Sequence, residues 1–247
     1  MKSFLRLFLP GSLFELRRRF GRFLDSLYNR TKSVEEVFTD IYARGKWGGA
    51  VGEWISGAGS VRQHIVDSYI AAICDLASRE GFRDHAFVDL GCGDFSVGKQ
   101  LLPLCSSYVG VDIVRPLIAR NQELFGGPST SFAHLDVIKD VLPDGDVCFV
   151  RQVLQHLSNR HISTILSKLK KYRWVIITEH YPEGFYSSNP NIDKVHGADI
   201  RFYSGSGVYL DEPPFCIPGD LLSLVLEVPV GSSKGSGILR TYLYKPN

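Results

Sequence analysis

Two glycines and two aspartates carry the first chemical signal in this sequence. The run Val88-Asp89-Leu90-Gly91-Cys92-Gly93-Asp94-Phe95-Ser96-Val97-Gly98 sits where a short apolar stretch gives way to a helical pattern. Gly91 and Gly93 permit a tight turn and let the backbone approach a ligand with no Cβ in the way. Such a loop, used on a nucleotide, calls for an acid at the end of the next strand, about 20 residues on, to take the ribose hydroxyls. Asp112 stands 21 residues after Gly91 (112 − 91) and closes the apolar run Tyr108-Val109-Gly110-Val111. A dinucleotide fingerprint would place its third glycine where this chain has Ser96, which disfavours a dehydrogenase. Asp89, at the start of the loop, suits an ammonium better than a pyrophosphate.

Further groups gather at comparable points. Asp136, Arg151, Gln152 and Glu179 each follow an apolar run. His156 lies just beyond the fourth run, and an imidazole is the side chain best placed to move protons near neutral pH. Glu179 and His180, with Asp193, His196 and Asp199 further on, form a dense set of oxygen and nitrogen groups. That set could hold a divalent cation such as magnesium, bind a polar substrate through hydrogen bonds, or be solvated loop; its spacing matches no metal motif.

The elements that must position these residues follow from periodicity. Val61–Ala77 is expected as a helix with Val61, Ile65, Tyr69, Ala72, Ile73 and Leu76 on one face. Strands are expected at 86–90, 108–112, 130–135, 146–151 and 173–178, with helices at 97–105, 115–124 and 161–172 between them. Strands alternating with helices imply βαβ units and a parallel sheet. Strands at 221–228 and 237–244 would complete it as an antiparallel pair, making seven. A long acceptor-side loop is expected over about 180–220. Gly91, Asp112, Asp136, Gln152 and Glu179 all fall at expected strand ends, the edge where open α/β sheets bind ligands.

Composition fits one soluble α/β unit. The 247 residues are 44% hydrophobic and 22% charged, with a formal net charge of +2, too small to favour nucleic acid as a partner. Five cysteines without a CxxC pair indicate neither a disulfide framework nor a zinc knuckle, and fit a reducing, cytoplasmic setting. Residues 1–35 form a basic arm, with 36–247 as the main domain. Arg6, Pro10 and Gly11 interrupt the apolar start, which argues against a secretory signal. Leu13–Tyr28 pairs Arg17, Arg18, Arg19 and Arg22 with Leu16, Phe20, Phe23, Leu24 and Leu27 at helical spacing. Such a helix either rests on an anionic membrane, at its inner face, or packs on its own domain or on a second subunit in a homodimer; the packing reading is preferred.

The glycine loop, Asp112 and the strand order together resemble the class I methyltransferases that use S-adenosylmethionine (SAM). The resemblance covers about residues 61–244 and implies a Rossmann-like α/β fold, a mostly parallel seven-stranded sheet with helices on both faces. It implies that Asp89, Gly91, Cys92, Gly93, Asp112, Ile113, Asp136 and Val137 bind the cofactor, with Asp89 toward its ammonium, Asp112 on its ribose and Asp136 near its adenine amine. Arg151 and Gln152 would face the cofactor, and Arg62, with His64 beside it, its carboxylate. His156 would be the base, with Glu179 and His180 as further catalytic candidates. Arg201, Tyr203, Tyr209 and Phe215 would line the acceptor cleft.

A narrower bacterial branch is also similar. It shares Phe38, Ile41, Tyr42, Trp47 and Gly48, the Ser56-Gly57-Ala58-Gly59-Ser60 run, Cys92 to Phe95, Arg151 to Ser158, Glu179-His180 and Pro213 to Phe215. That branch resembles sugar O-methyltransferases of the methylmannose type, and implies a sugar hydroxyl of a glycan or glycolipid precursor as the acceptor. Another small-molecule or lipid-linked acceptor, methylation at nitrogen or carbon, and a non-catalytic SAM-binding partner of a glycan assembly complex remain the competing readings.

Overall fold

Asp89 and Asp112 sit at the ends of neighbouring strands of a seven-stranded sheet. The computed structural model describes residues 11–48, 50, 53–57, 62–183, 189–232 and 235–246. The strands are β1 (His85–Leu90), β2 (Cys105–Asp112), β3 (Thr130–His134), β4 (Val147–Arg151), β5 (Trp174–Pro182), β6 (Leu222–Ser232) and β7 (Gly235–Tyr244). Their order is β3-β2-β1-β4-β5-β7-β6. The first five run parallel, and β7 pairs antiparallel with both β5 and β6. The chain winds outward from β1 to β3 and then returns to β4 on the other side of β1. Such a reversal opens a crevice at the carboxyl ends of β1 and β4.

Helices cover both faces, as expected. They are α1 (Gly11–Arg30), α2 (Val34–Ala43), α3 (Gln63–Glu80), α4 (Arg115–Phe125) and α5 (Asn159–Leu169). Successive residues of β1 point to opposite sides. Val88 and Leu90 join a core with α2 and α5, while Phe87 joins one with α3. β1 and β4 are buried almost throughout, which is why they are near-continuous apolar runs. Ser33 and Glu36 form a capping box that starts α2, and Ser158 caps α5 by accepting from the His161 amide.

Several boundaries move. The helix expected over 97–105 is a 3-10 turn, Gly98–Leu104, containing Pro103. The fifth strand does not stop at Thr178 but continues to Pro182, because β7 pairs with it as far as Gly237. The long loop after it is anchored, with Val208, Leu210 and Ile217 in the core. The expected limit of the arm at 35 falls in the first turn of α2, whose Val34, Val37, Phe38, Ile41 and Tyr42 are buried. Gly49, Gly52, Ala58 to Ser60 and Val61 lie outside the described residues. The preferred packing of the arm's apolar stripe against its own domain is not found: Leu16 is 62% exposed and Phe20 60%.

Candidate active site

The loop after β1 turns as its glycines require. Gly91 has φ +75° and Gly93 φ +56°. A Cβ at Gly91 would lie 2.5 Å from Val153 Cγ2, and one at Gly93 would meet the Ser56 hydroxyl. Below the loop, Asp89 is buried and accepts a 2.5 Å hydrogen bond from the Tyr108 hydroxyl. Burial pushes its pKa up to about 6, against the pull of Tyr108 and Arg151. The Arg151 guanidinium lies 5.1 Å from the centre of the Tyr69 ring, which α3 delivers from the opposite wall. Asp112 is held by the amides of Gly93 (3.2 Å) and Val114 (3.0 Å), and burial raises its pKa. Buried Asn121 donates to the Gly93 carbonyl at 2.7 Å and fixes the loop from α4.

The upper wall comes from the end of α2 and from the irregular segments after α2 and β1. Ser56 and Asp94 bond reciprocally: the Asp94 amide donates to Ser56 Oγ (2.6 Å), and the Ser56 amide to Asp94 Oδ2 (2.9 Å). Tyr42 Oη is 3.0 Å from Ser56 Oγ. Trp47 stands edge-on to Tyr42 at 5.1 Å and 5.0 Å from the ring of His156. These groups close a cavity of about 150 Å³.

His156 is buried at the edge of that cavity, and the loop after β5 holds it at three points. Its Nδ1–H donates to the Gly197 carbonyl (3.1 Å), and its own carbonyl accepts from the Gly197 amide (3.0 Å) and from Lys194 Nζ (3.2 Å). The Nδ1 bond leaves Nε2 to carry the lone pair. Burial, then Lys194, lowers its pKa to about 3. The imidazole is therefore neutral near pH 7 with a lone pair on the ring, and burial makes it a weaker base than a free imidazole.

The cavity brings together Asp89, Gly91, Cys92, Gly93, Asp112 and Ile113 on one side, and Asp136, Val137, Arg151, Gln152 and His156 on the other. Gln152 adopts φ +58°, and its amide donates to the Thr178 carbonyl at 2.7 Å. Asp136 also closes its own turn, accepting from the Ile138 amide (2.9 Å) beside Lys139 (3.0 Å).

Four expected site residues do not line it. Arg62 is exposed and donates to the Gly231 carbonyl on β6 at 2.7 Å; His64 is exposed at the start of α3. Glu179 is wholly buried and accepts from the amides of Val153 (3.1 Å), Leu154 (2.8 Å) and Gln155 (3.1 Å). His180, one residue on, points to the other face and stacks on Phe202 at 4.8 Å. Burial lowers its pKa to about 4. The acceptor-side candidates divide likewise. Arg201 is buried and holds the carbonyls of Ile192 and Leu157, while Tyr203 packs near Arg22 of α1. Tyr209 stands against Tyr181 and Phe215 against the core. Among the described residues no group of three or more His, Cys, Asp or Glu is arranged to hold a metal ion, and Glu179 and His180 of the Glu179/His180/Asp199 set turn to different partners.

Tyr69 was legible only as a core position of α3. Its signal was a phenol on an otherwise aliphatic face, since a buried hydroxyl usually has a polar partner. No sequence signal placed Ser56 against Asp94.

Residues 88–171 match a family described as "Methyltransferase domain". No protein of curated function matches the sequence. Among solved structures, the N-methyltransferase NodS from Bradyrhizobium japonicum WM9 with bound S-adenosylhomocysteine (SAH) is similar at 14% identity and TM-score 0.52, over 78% of this chain and 95% of that one. The magnesium protoporphyrin IX methyltransferase ChlM from Synechocystis PCC 6803 with bound SAH is similar at 16% identity and TM-score 0.55, over 86% and 100%. The Burkholderia thailandensis 1,6-didemethyltoxoflavin-N1-methyltransferase gives 15% and 0.51, over 86% and 87%. At these identities the likeness is one of fold.

Proposed function

We propose that this chain, a SAM-dependent methyltransferase with a class I fold, delivers its methyl group to a hydroxyl of a sugar in a glycan or glycolipid precursor, with His156 as the base. The residues present fit the cofactor. Asp112 turns a carboxylate into the cavity for the ribose and Asp89 offers an anion for the ammonium, while Gly91 and Gly93, with positive φ and Val153 and Ser56 packed where a Cβ would stand, let the loop turn beside them. SAM supplies an electrophilic methyl carbon on a sulfonium, so the chain has only to exclude water, align the acceptor and remove its proton.

One observation carries the choice of base. Of the three catalytic candidates read from the sequence, His156 alone reaches the cavity, with Nδ1 tied to the Gly197 carbonyl and Nε2, the lone-pair nitrogen, 3.5 Å from the Gln155 side-chain amide. A hydroxyl needs such a base because its proton must leave as the oxygen attacks carbon. Phe38, Tyr42 and Trp47 supply aromatic surface beside it, which supports a sugar face as the neighbour.

The test is SAH release with a panel of sugar and glycolipid acceptors, the methylated atom being located by NMR. His156→Ala should lower turnover roughly 10²–10⁴-fold, the range of a positioned base, and leave SAM affinity nearly unchanged. EDTA should not inhibit. Turnover kept in His156→Ala, or transfer only to nitrogen or carbon acceptors, would overturn the proposal.

A further inference from the structure

Helix α1 faces the wrong way for a helix that serves its own domain. Leu16, Phe20, Phe23, Leu24 and Leu27 repeat at spacings of three and four and form one stripe. All five are exposed, from 43% at Leu27 to 62% at Leu16. The polar side is the one that meets the protein. Asn29 Nδ2 donates to the His196 carbonyl at 3.0 Å, Arg22 lies 5.9 Å from the Tyr203 ring, and Asp25 pairs with Lys46 at 3.7 Å. A helix folding onto its own core would do the reverse, because burying the apolar face provides most of the stabilisation.

The charge on the same helix identifies what covers the stripe. α1 has Arg17, Arg18, Arg19, Arg22 and Arg30 against Glu15 and Asp25, a net of +3 (5 − 2). With 3.6 residues per turn, Arg17 falls just beyond one edge of the stripe and Arg30 just beyond the other. Apolar surface between cations suits a lipid surface with anionic headgroups: aromatic and leucine side chains enter the acyl boundary while arginines stay at headgroup level. A second copy of α1 laid stripe to stripe would bring two +3 helices together. No described helix is long and apolar enough to cross a membrane, so contact would be peripheral.

We infer that α1 is a membrane-surface helix that docks the protein on anionic bilayers through Leu16, Phe20, Phe23, Leu24 and Leu27. The inference is independent of the acceptor: it holds for any substrate and leaves the cavity chemistry untouched.

The experiment is co-flotation of the full-length protein with phosphatidylcholine vesicles and with mixed phosphatidylglycerol–phosphatidylcholine vesicles, alongside size-exclusion chromatography. The protein should float with the mixed vesicles and not with the neutral ones, and rising salt should release it. Phe20→Glu/Leu24→Glu should cut the bound fraction at least about tenfold, and Arg17→Glu/Arg30→Glu by a similar order. Both variants should keep wild-type SAH affinity, which shows that they fold. Absence of flotation with mixed vesicles would overturn the inference. So would equal flotation with neutral ones, or a stable dimer that Phe20→Glu/Leu24→Glu splits, since a second copy would then cover the stripe.

Discussion

Replacing Glu179 by glutamine separates a base from a clamp. The carboxylate is wholly buried; Oε1 accepts from Val153 (3.1 Å) and Leu154 (2.8 Å), and Oε2 from Gln155 (3.1 Å). Glutamine can keep its carbonyl on two of these amides, but its NH₂ then faces the third N–H, donor against donor. A stranded buried donor costs about 1–3 kcal/mol, and the other two bonds drop from about 1.5–3 to about 0.5–1.5 kcal/mol each. These values hold for the ionised carboxylate, above about pH 8, where relief from holding a charge out of water offsets part of them and leaves a net loss of order 1–3 kcal/mol; below that pH the protonated acid already sets an O–H against one amide and the loss is smaller. For a chain of this length that lowers Tm by roughly 2–4 °C per kcal/mol. Turnover should fall at most about tenfold, through a shift of His156 at the end of the same turn, well short of the ~10²-fold or more that removing a base costs. The pH dependence adds a second reading. Burial raises the Glu179 pKa from 4.5 to about 8, against the amides and Arg201. The folded state therefore keeps a proton that the unfolded chain gives up. This contribution is full below about pH 4.5 and declines as pH rises through about 8, by up to about 1.4 kcal/mol per unit. Glu179→Gln should flatten that slope. Thermal melts across pH and initial rates decide; a loss of turnover of about 10²-fold or more with unchanged Tm would make Glu179 a base and refute the clamp.

Two further outcomes are expected. Asp112→Asn should weaken SAH binding by about 1.5–3 kcal/mol, since it removes a charged partner of the ribose and sets an NH₂ against the Gly93 or Val114 amide; calorimetry showing equal affinity would remove the ribose role. Asp89, with its pKa raised to about 6 by burial, should protonate as pH falls through that value and lose its attraction for the cofactor ammonium. The kcat/KM for SAM should then fall below about pH 6 while kcat stays level, and a flat kcat/KM down to pH 5 would count against it.

The glycine-loop side of the cavity was legible because backbone requirements limit its residues. A positive φ at Gly91 and Gly93 and the length of one βα unit fix both residue type and spacing, so Asp112 could be found by counting. The catalytic side was less legible, and Glu179 and His180 show why. Placing them at a strand end assumed that β5 stops at Thr178, yet pairing with β7, distant in sequence, carries it to Pro182. Inside a strand, neighbours face opposite ways. Glu179 turns to the 153–155 amides and His180 to Phe202, so the two could not share one site. Arg62 failed differently: a long exposed side chain reaches whatever carbonyl is near, and here that is Gly231.

What the sequence did not show is that two segments outside the sheet converge on one residue. From the N-terminal side come Phe38 and Trp47, whose ring centroids lie 6.3 and 5.0 Å from that of His156. From the loop after β5 comes Gly197, whose carbonyl sets the His156 tautomer, while the adjacent Ala198 carbonyl accepts from Trp47 Nε1 at 3.2 Å. In the proposed function the sheet fixes where the methyl donor sits, and the two segments, locked to each other across His156, fix what can approach it. Such segments can change without disturbing the strands, which is how one fold serves many acceptors. The acceptor preference of this chain is accordingly expected to follow residues 38–57 and 192–201 rather than the glycine loop.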